Sequence, residues 1–315
     1  MSKKPTSTLT VLDVGHGNSA VLCDSGDVFV FDTGQGQHLR RFLRISGIKV
    51  IEAILISHAD TDHCSGAISV LLDQEIVVKR VFLNPDPTKK AKHSHRQLRL
   101  AVAEAGRERG TVTETQLTTA SSGKLRCGSV DVEVLYPPPE LAMSGVGGVD
   151  LAGKAISSNA MSAAIRLKKN NKPFVLLGAD IEFSCLEEWV DRRIDPSAPI
   201  LLFPHHGGLP GTPLPDEAAA FARRVGQMVN PKVVVFSIHR SRHDLPREEV
   251  LSALLGVLSE VHFLCTQVPA RIAVIVSSQD PGPWRLHRDK RAKCMEGSIS
   301  IEFSDDAYRI NWIRS

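Results

Sequence analysis

The stretch Ile54-Leu55-Ile56-Ser57-His58-Ala59-Asp60-Thr61-Asp62-His63 decides how this chain is read. The run from Val50 to Ile56 is short, largely apolar, rich in β-branched residues and bounded by polar ones, so it predicts a buried strand. Two histidines and two aspartates follow it within six positions. They then sit at the C-terminal end of a strand, where open α/β sheets bind ligands. Imidazole and carboxylate are the side chains that hold divalent metal ions. Two aspartates packed between histidines repel each other unless a cation neutralises them. Gly66 comes next, and Ala67 to Leu72 reads as the start of a helix.

The segment His58-Ala59-Asp60-Thr61-Asp62-His63 resembles the signature of the metallo-β-lactamase fold, His-x-His-x-Asp-His. Asp60 stands where the second histidine usually is. This His-x-Asp-x-Asp-His version is similar to the hydrolase domain of the ComEC/Rec2 competence proteins and their stand-alone relatives. The resemblance covers roughly residues 8–265. It implies an α/β fold, an αββα sandwich of two mixed β-sheets flanked by helices. The implied organisation is a hydrolase domain over 1–265, with a small C-terminal β extension over 266–315 packed on the same domain. Competence proteins carry this domain fused to a membrane channel; no such part is expected here, so DNA uptake is not carried over.

With 315 residues, 42% of them hydrophobic, the chain is long enough for one large domain or two small ones. A formal charge of +3 allows an anionic partner without requiring one. No apolar run reaches the roughly 18 residues of a membrane span, and Met1 to Thr8 has no apolar core like that of a signal peptide. Cys23, Cys64, Cys127, Cys185, Cys265 and Cys294 are dispersed without a CxxC pair. A cytoplasmic protein with reduced cysteines and no membrane contact is therefore expected.

Ahead of the cluster, Leu9 to Val14 predicts a strand, and 20–23 with 28–31 a hairpin turning at Asp24-Ser25-Gly26-Asp27. The order Leu-Asp-Val-Gly-x-Gly-x-Ser, strand, strand, Asp-Thr-Gly is similar to the opening of the competence-type family, with His16 where glutamine is usual. Asp13 and Asp32 lie at strand ends, as outer partners of ligand histidines or as plain turn residues. After a strand at 77–82 comes a basic segment with Lys89, Lys90, Lys92, His93, His95, Arg96 and Arg99, expected as a helix with one solvated face. Beside a metal site it becomes a phosphate-backbone contact. His93 and His95 are expected at the surface.

Further on, Lys124 to Tyr136 predicts two strands and 140–155 a loop. Strands follow at 163–167, 174–177, 199–203, 233–237 and 261–264, with helices at 181–190, 216–228 and 248–258 between them. Many metallo-β-lactamase-fold enzymes place a further histidine ligand before the first of these strands. No histidine occurs between His95 and His205, so that ligand is missing, and Asn159 is the nearby candidate to replace it. Asp180 matches the aspartate that bridges two metals in the family, although Ala179 intervenes in the usual Gly-Asp pair. His205-His206 ends another strand; one of the two should ligate and the other contact substrate, in an order the sequence leaves open. Ser237 matches a family serine, and His243 a histidine at the mouth of the site. Arg240 and Arg242 beside it would hold phosphate. Arg271 to Ser277 and the pair 298–303 and 307–313 read as strands of a small terminal sheet. Between them lies a basic loop with Arg285, His287, Arg288, Lys290, Arg291 and Lys293.

The resemblance then implies two divalent metal ions. His58, Asp60 and Asp180 form one site; Asp62, His63, Asp180 and one of His205 or His206 form the other. The high share of carboxylates suits manganese or magnesium, and the imidazoles keep zinc open. A paired centre activates water and stabilises charge on a phosphoryl group, with Asp62 at the catalytic core and a protonated His243 either stabilising the developing charge or protonating the leaving oxygen. Asn159, Ser237, Arg240 and Arg242 are the expected substrate contacts. The leading expectation is a phosphodiesterase or nuclease acting on DNA or RNA. A small-molecule hydrolase (phosphocholine-type esterase, lactam or thioester) and a non-catalytic nucleic-acid- or partner-binding subunit are the alternatives.

Overall fold

The computed structural model describes residues 7–89, 92–211, 214–277, 283–284, 297–304 and 307–313. Strand β1 (Ser7–Val11) precedes a hairpin of β2 (Ser19–Asp24) and β3 (Asp27–Thr33), which turns through Ser25 and Gly26, both at positive φ. Helix α1 (His38–Ile45) leads to β4 (Val50–Ile51) and β5 (Ala53–Ile56). Two short helices follow, α2 (Thr61–Cys64) and α3 (Gly66–Leu71). This half closes with β6 (Val77–Val78), β7 (Arg80–Leu83), helix α4 (His93–Arg109) and β8 (Val112–Glu114).

The second half runs β9 (Leu125–Cys127), β10 (Val130–Tyr136), α5 (Pro139–Ser144), β11 (Ala164–Lys169), β12 (Lys172–Leu177) and α6 (Phe183–Asp191). It continues β13 (Ile200–Leu202), α7 (Pro215–Val229), β14 (Val233–Phe236), α8 (Glu248–Leu255) and β15 (His262–Cys265). Helix α9 (Ala270–Ser277) and the strands β16 (Ser298–Phe303) and β17 (Tyr308–Ile313) come last.

Two large mixed sheets result. The first has the order β17-β16-β1-β2-β3-β5-β7-β8, the second β15-β14-β13-β12-β11-β10-β9, and β4 pairs separately with β6. The first is antiparallel from β17 to β3 and parallel from β3 to β8. The second is parallel from β15 to β12 and antiparallel beyond.

Strand β5 explains the layering. Side chains alternate across a strand, so Ala53 and Leu55 pack between the sheets with Val132, Ile165 and Leu202. Ile54 and Ile56 pack the other way, against Leu39 and Leu43 of α1 and Ala67 and Val70 of α3. On the far face of the second sheet, Leu201, Val234 and Phe236 meet Phe221 and Val225 of α7 and Leu254 of α8. The layers are therefore helix, sheet, sheet, helix, as expected. Each large aliphatic side chain buried this way contributes about 1.5–3 kcal/mol, which is why an unbroken apolar run reads as a strand covered on both faces.

Five readings need correction. The run 50–56 is not one strand: it breaks at Glu52 into β4 and β5, which lie in different sheets. The predicted loop at 140–155 begins inside helix α5. Residues 270–277 form helix α9, not a strand. Ala273 N–H donates to Pro269 O (2.9 Å), opening a helical turn, and Ile272 is fully buried in the helix-side cluster; packing overrides the strand preference of a β-branched run. Strands β16 and β17 do not make a sheet of their own. Strand β16 pairs with β1 from Ser7↔Phe303 to Val11↔Ile299, extending the first sheet. Its alternate residues Ile299, Ile301 and Phe303 gain cover from the second sheet, with Phe303 stacked on Phe174 at 5.0 Å. Finally, His93 is exposed but His95 is buried against the inner side of α4. Lys90, the basic loop at 285–293 and Cys294 lie outside the described residues. The other five cysteines are unpaired. No helix among the described residues is long and apolar enough to cross a membrane.

Candidate metal centre

Strands β3 and β5 run parallel, so their C-terminal ends lie side by side. Asp32, at the end of β3, accepts from Ser57 N–H (2.7 Å) and Ser57 Oγ (2.9 Å), fixing the residue before His58. Helix α2 then opens, and its single turn carries Asp62 and His63. Thr33 Oγ1 donates to His63 O (3.0 Å), tying that turn back to β3. The loop after β1 closes over it: Asn18 N–H donates to Asp62 O (3.2 Å), and a Cβ on Gly17 would fall 2.3 Å from the same oxygen. Only glycine permits that approach at φ +129.

The second sheet supplies the opposite wall. Asp180 follows β12 through Ala179, held at φ 45, and donates its N–H to Ser162 Oγ (2.9 Å). After β13 the chain turns through His205 (φ 49) and His206 (φ 57). Gly207 lets it do so, because a Cβ there would lie 2.5 Å from Pro246 Cβ and 2.9 Å from the Phe236 ring.

These two walls meet. His63 Nε2 lies 3.3 Å from Asp180 Oδ1 and 3.8 Å from Asp62 Oδ2. His206 Nε2 lies 3.4 Å from Asp62 Oδ2 and 3.8 Å from Asp180 Oδ1. His205 Nδ1 is 3.6 Å and His58 Nε2 3.9 Å from Asp180 Oδ2. Two donors each about 2.1 Å from one tetrahedral ion stand about 3.4 Å apart, so these spacings match a shared cation. His63 Nδ1 faces Asp32 Oδ2 (2.7 Å), and His206 Nδ1 faces Ser237 O (2.9 Å). Carboxylate and carbonyl oxygens only accept, so both rings direct an Nδ1–H outward and face Nε2 inward, where a cation would take its lone pair. His58 Nδ1 sits between Ser57 Oγ (3.0 Å) and Ser162 Oγ (3.3 Å).

The inward atoms His58 Nε2, His63 Nε2, His206 Nε2 and Asp180 Oδ1 are buried and have no hydrogen-bond partner. The His63–Asp180 approach is not aligned as one. Buried polar atoms left this way are costly; His58, His63 and Asp180 form one group, and His16, Asp62 and His206 another, each with ligand atoms within 4.8 Å of one another, so the residues fit divalent cations. The electrostatics agree. Burial, reinforced by His63, lowers the His58 imidazole to about 3. Burial also lowers His205. Burial opposes charge on His63 too, but Asp180 and Asp32 outweigh it and hold that imidazole well above its ordinary value. Against the same penalty, His63 and His205 keep Asp180 well below the carboxylate range, and His206 does so for Asp62.

The residues picked out in the sequence divide. His58, Asp62, His63, Asp180, His205 and His206 converge. Asp60 stands at the edge: one oxygen is 3.9 Å from His58 Nε2, and the other pairs with Lys89 Nζ at 2.5 Å. Lys89 thereby brings the start of the basic segment to the rim, where Ser94 Oγ also meets Thr61 Oγ1 (3.1 Å). Asn159 is half-buried, with an unpartnered amide oxygen. Ser237 is buried; its hydroxyl donates to Gly17 O (2.6 Å) and its carbonyl faces His206 Nδ1, so it ties the β1 loop to that ring. Arg240, Arg242 and His243 are exposed on the loop after β14. Asp32 is the outer partner the sequence offered; Asp13 instead holds its own loop, accepting from Gly15 N–H (3.1 Å) and Gln267 Nε2 (2.8 Å). His16 was missed as a site residue. Its Nε2 is 3.6 Å from Asp62 Oδ2, and its ring lies between those of His206 (4.6 Å) and His243 (4.5 Å). The glycines on either side of it were the available signal.

Four layers, with a histidine–aspartate centre where two mixed sheets meet at their rims, define the metallo-β-lactamase fold. Residues 12–132 match the family described as the metallo-beta-lactamase superfamily. Unliganded yeast PDE1 is similar in structure, with a TM-score of 0.54 and 12% identity over 84% of this chain and 98% of that one. The metallo-beta-lactamase fold protein YhfI from Bacillus subtilis aligns over 82% of this chain and 96% of its own, at 10% identity and a TM-score of 0.47. In sequence, the chain is 33% identical over 76 residues to Recombination protein 2 of Haemophilus influenzae. That stretch is 22% of this chain and 10% of the relative, so the match spans about a tenth of the relative's length.

Proposed function

We propose that this protein is a divalent-metal-dependent hydrolase that cleaves phosphodiester bonds in DNA or RNA. The observation that carries the reading is the Lys89–Asp60 contact, because it joins the buried histidine–aspartate cluster to a basic segment on the rim. Lys92, His93 and Arg96 continue that segment as exposed residues of or next to α4, and Arg240 and Arg242 lie exposed on the loop that carries His243. A buried cluster that fits metal below, with arginine and lysine above, suits a substrate that is anionic along its length. The similarity to Recombination protein 2 over residues of this chain is consistent with that class of substrate.

In this reading His58, His63, His206, Asp62 and Asp180 hold the ions, two of them as the resemblance implies, with zinc or manganese as the first candidates. When bound, the metal supplies an activated water and stabilises phosphoryl charge. The chain's own residues do the rest. Asp32 and the Ser237 carbonyl fix two imidazoles in the tautomer that ligates. Arg240, Arg242 and Lys89 neutralise phosphate oxygens. His243, exposed at the mouth, gives a proton to the leaving oxygen. The division into a hydrolase domain over 1–265 and an extension over 266–315 belongs to the same proposal.

A labelled oligonucleotide incubated with the full chain and manganese should be cut, and the cutting should stop on adding EDTA or with Asp62→Ala. Losing a ligand removes several kcal/mol of charge stabilisation, or roughly a thousandfold in rate. Cleavage of bis-p-nitrophenyl phosphate with oligonucleotides left intact would replace the reading with a small-molecule esterase. A salt-sensitive gel shift without any cutting, unchanged in Asp62→Ala, would replace it with a binding subunit.

A further inference from the structure

The centre offers two trios of ligand atoms. His58, His63 and Asp180, all buried, place one atom each within 4.8 Å of one another. Asp60 stands beside them, with a lysine ammonium 2.5 Å from one oxygen and the His58 ring nitrogen 3.9 Å from the other. The Asp62 end has a trio of its own. The ring nitrogens of His16 and His206 and an oxygen of Asp62 all lie within 4.8 Å of one another. Asp62 Oδ2 is 3.4 Å from His206 Nε2 and 3.6 Å from His16 Nε2, close to the separation of about 3.4 Å that two ligands of one tetrahedral ion adopt.

The backbone explains why His16 sits there. Gly15 and Gly17 both have positive φ, so the chain bends sharply on either side of it. The fit of Gly17 against Asp62 O presses the loop onto α2 and leaves no room for retreat. Ser237 fastens the same loop from the second sheet through Gly17 O, while its carbonyl fixes the proton of His206. One residue thus sets both rings relative to Asp62.

We propose that His16 is a metal ligand, and that with Asp62 and His206 it holds one of the ions in the centre. This rests on the centre being metal-binding, as in the function proposed above, but not on the identity of the substrate.

The test uses the full chain stripped with a chelator and reloaded with Co(II), with cobalt content measured by mass spectrometry and affinity by chelator competition. His16→Ala should weaken cobalt binding at the place it shares with Asp62 and His206 by roughly tenfold or more, since even an outer partner of a ligand is worth 10–100-fold. Asp60→Asn should leave that affinity unchanged. His16→Cys should introduce a thiolate ligand, seen as a sulfur-to-cobalt charge-transfer band that the wild type lacks; this readout stands even if the alanine variant folds poorly. Unchanged affinity in a folded His16→Ala, no new band in a cobalt-loaded His16→Cys, or the same loss of affinity in Asp60→Asn would each overturn the proposal while leaving the metal centre intact. A wild type that takes up no cobalt would overturn both this proposal and the metal-dependent reading beneath it.

Discussion

The loop after β5 and the loop after β13 deliver the same kind of ligand by different physics. The first aims His63 with a side chain: Asp32 Oδ2 receives its Nδ1 proton at 2.7 Å. The second aims His206 with main chain: the Ser237 carbonyl receives the proton, and the ring gets into position only because two consecutive residues adopt positive φ under a glycine. Orientation by a carboxylate is chemistry that tunes the ligand. Orientation by backbone conformation is strain held in place by surrounding packing. Substitutions that separate the two should therefore fail in different ways.

The largest effect is expected on the backbone side. Gly207→Ala puts a Cβ 2.5 Å from Pro246 Cβ and 2.9 Å from the Phe236 ring, at φ +81. Overpacking costs about 1–3 kcal/mol and a left-handed non-glycine residue adds about 1–2. Chemical denaturation should show a loss of about 2–5 kcal/mol, with metal affinity falling as a consequence. A stable variant with normal affinity would mean that this loop is not held by its backbone at all. On the side-chain side, Asp32→Asn should weaken metal binding 10–100-fold at a stability cost of about 1–3 kcal/mol, because its amide NH2 replaces an oxygen that accepts from Ser57 or His63. Asp32 sits at φ 51, a conformation asparagine tolerates. If the variant loses stability and keeps its affinity, Asp32 is a strand clamp for Ser57 and nothing more.

The same contrast accounts for what is legible in the amino-acid sequence alone. The β5 loop is contiguous: a buried strand, then four ligand-type residues in six positions, so its place in the fold follows from pattern. The layering follows too, since Ala53 and Leu55 against Ile54 and Ile56 already separate two faces. The β13 loop is legible as a histidine pair, but which ring turns inward depends on φ values that no local pattern encodes; both prove to face Asp180, and His206 also faces Asp62. Ser237 matches a motif serine, yet its role is set by Gly17, 220 positions away in sequence. His16 is hidden for the same reason, because its partners come from α2 and the β13 loop. Strand β16 shows the limit at the level of the fold. Its alternation is clear, but its partner is β1 at the opposite end of the chain.

The smallest effect, and the one that separates the histidines by sign, is on the pH dependence of the metal-free protein. His58 and His16 are lowered to about 3 and about 4, mainly by burial, and His205 is lowered for the same reason. As pH falls below 6.5, the unfolded chain takes up protons that these folded imidazoles refuse, so stability drops from pH 6.5 downward. His63 has the reverse sign: its contribution is complete below pH 6.5 and is lost as pH rises through its raised value. Asp62 and Asp180 lose theirs only on acidification below the ordinary aspartate value of 3.8, so the interval from pH 6.5 to 4 reports mostly on the lowered histidines. Glu182 and Glu188, raised by burial, push weakly the other way. Calorimetry of EDTA-treated protein should show the melting temperature falling across that interval, and His16→Gln should flatten part of the fall. A melting temperature that stays level, or rises, would mean these rings are hydrated and free to protonate, and the buried lone pairs on which both loops converge would not exist in solution.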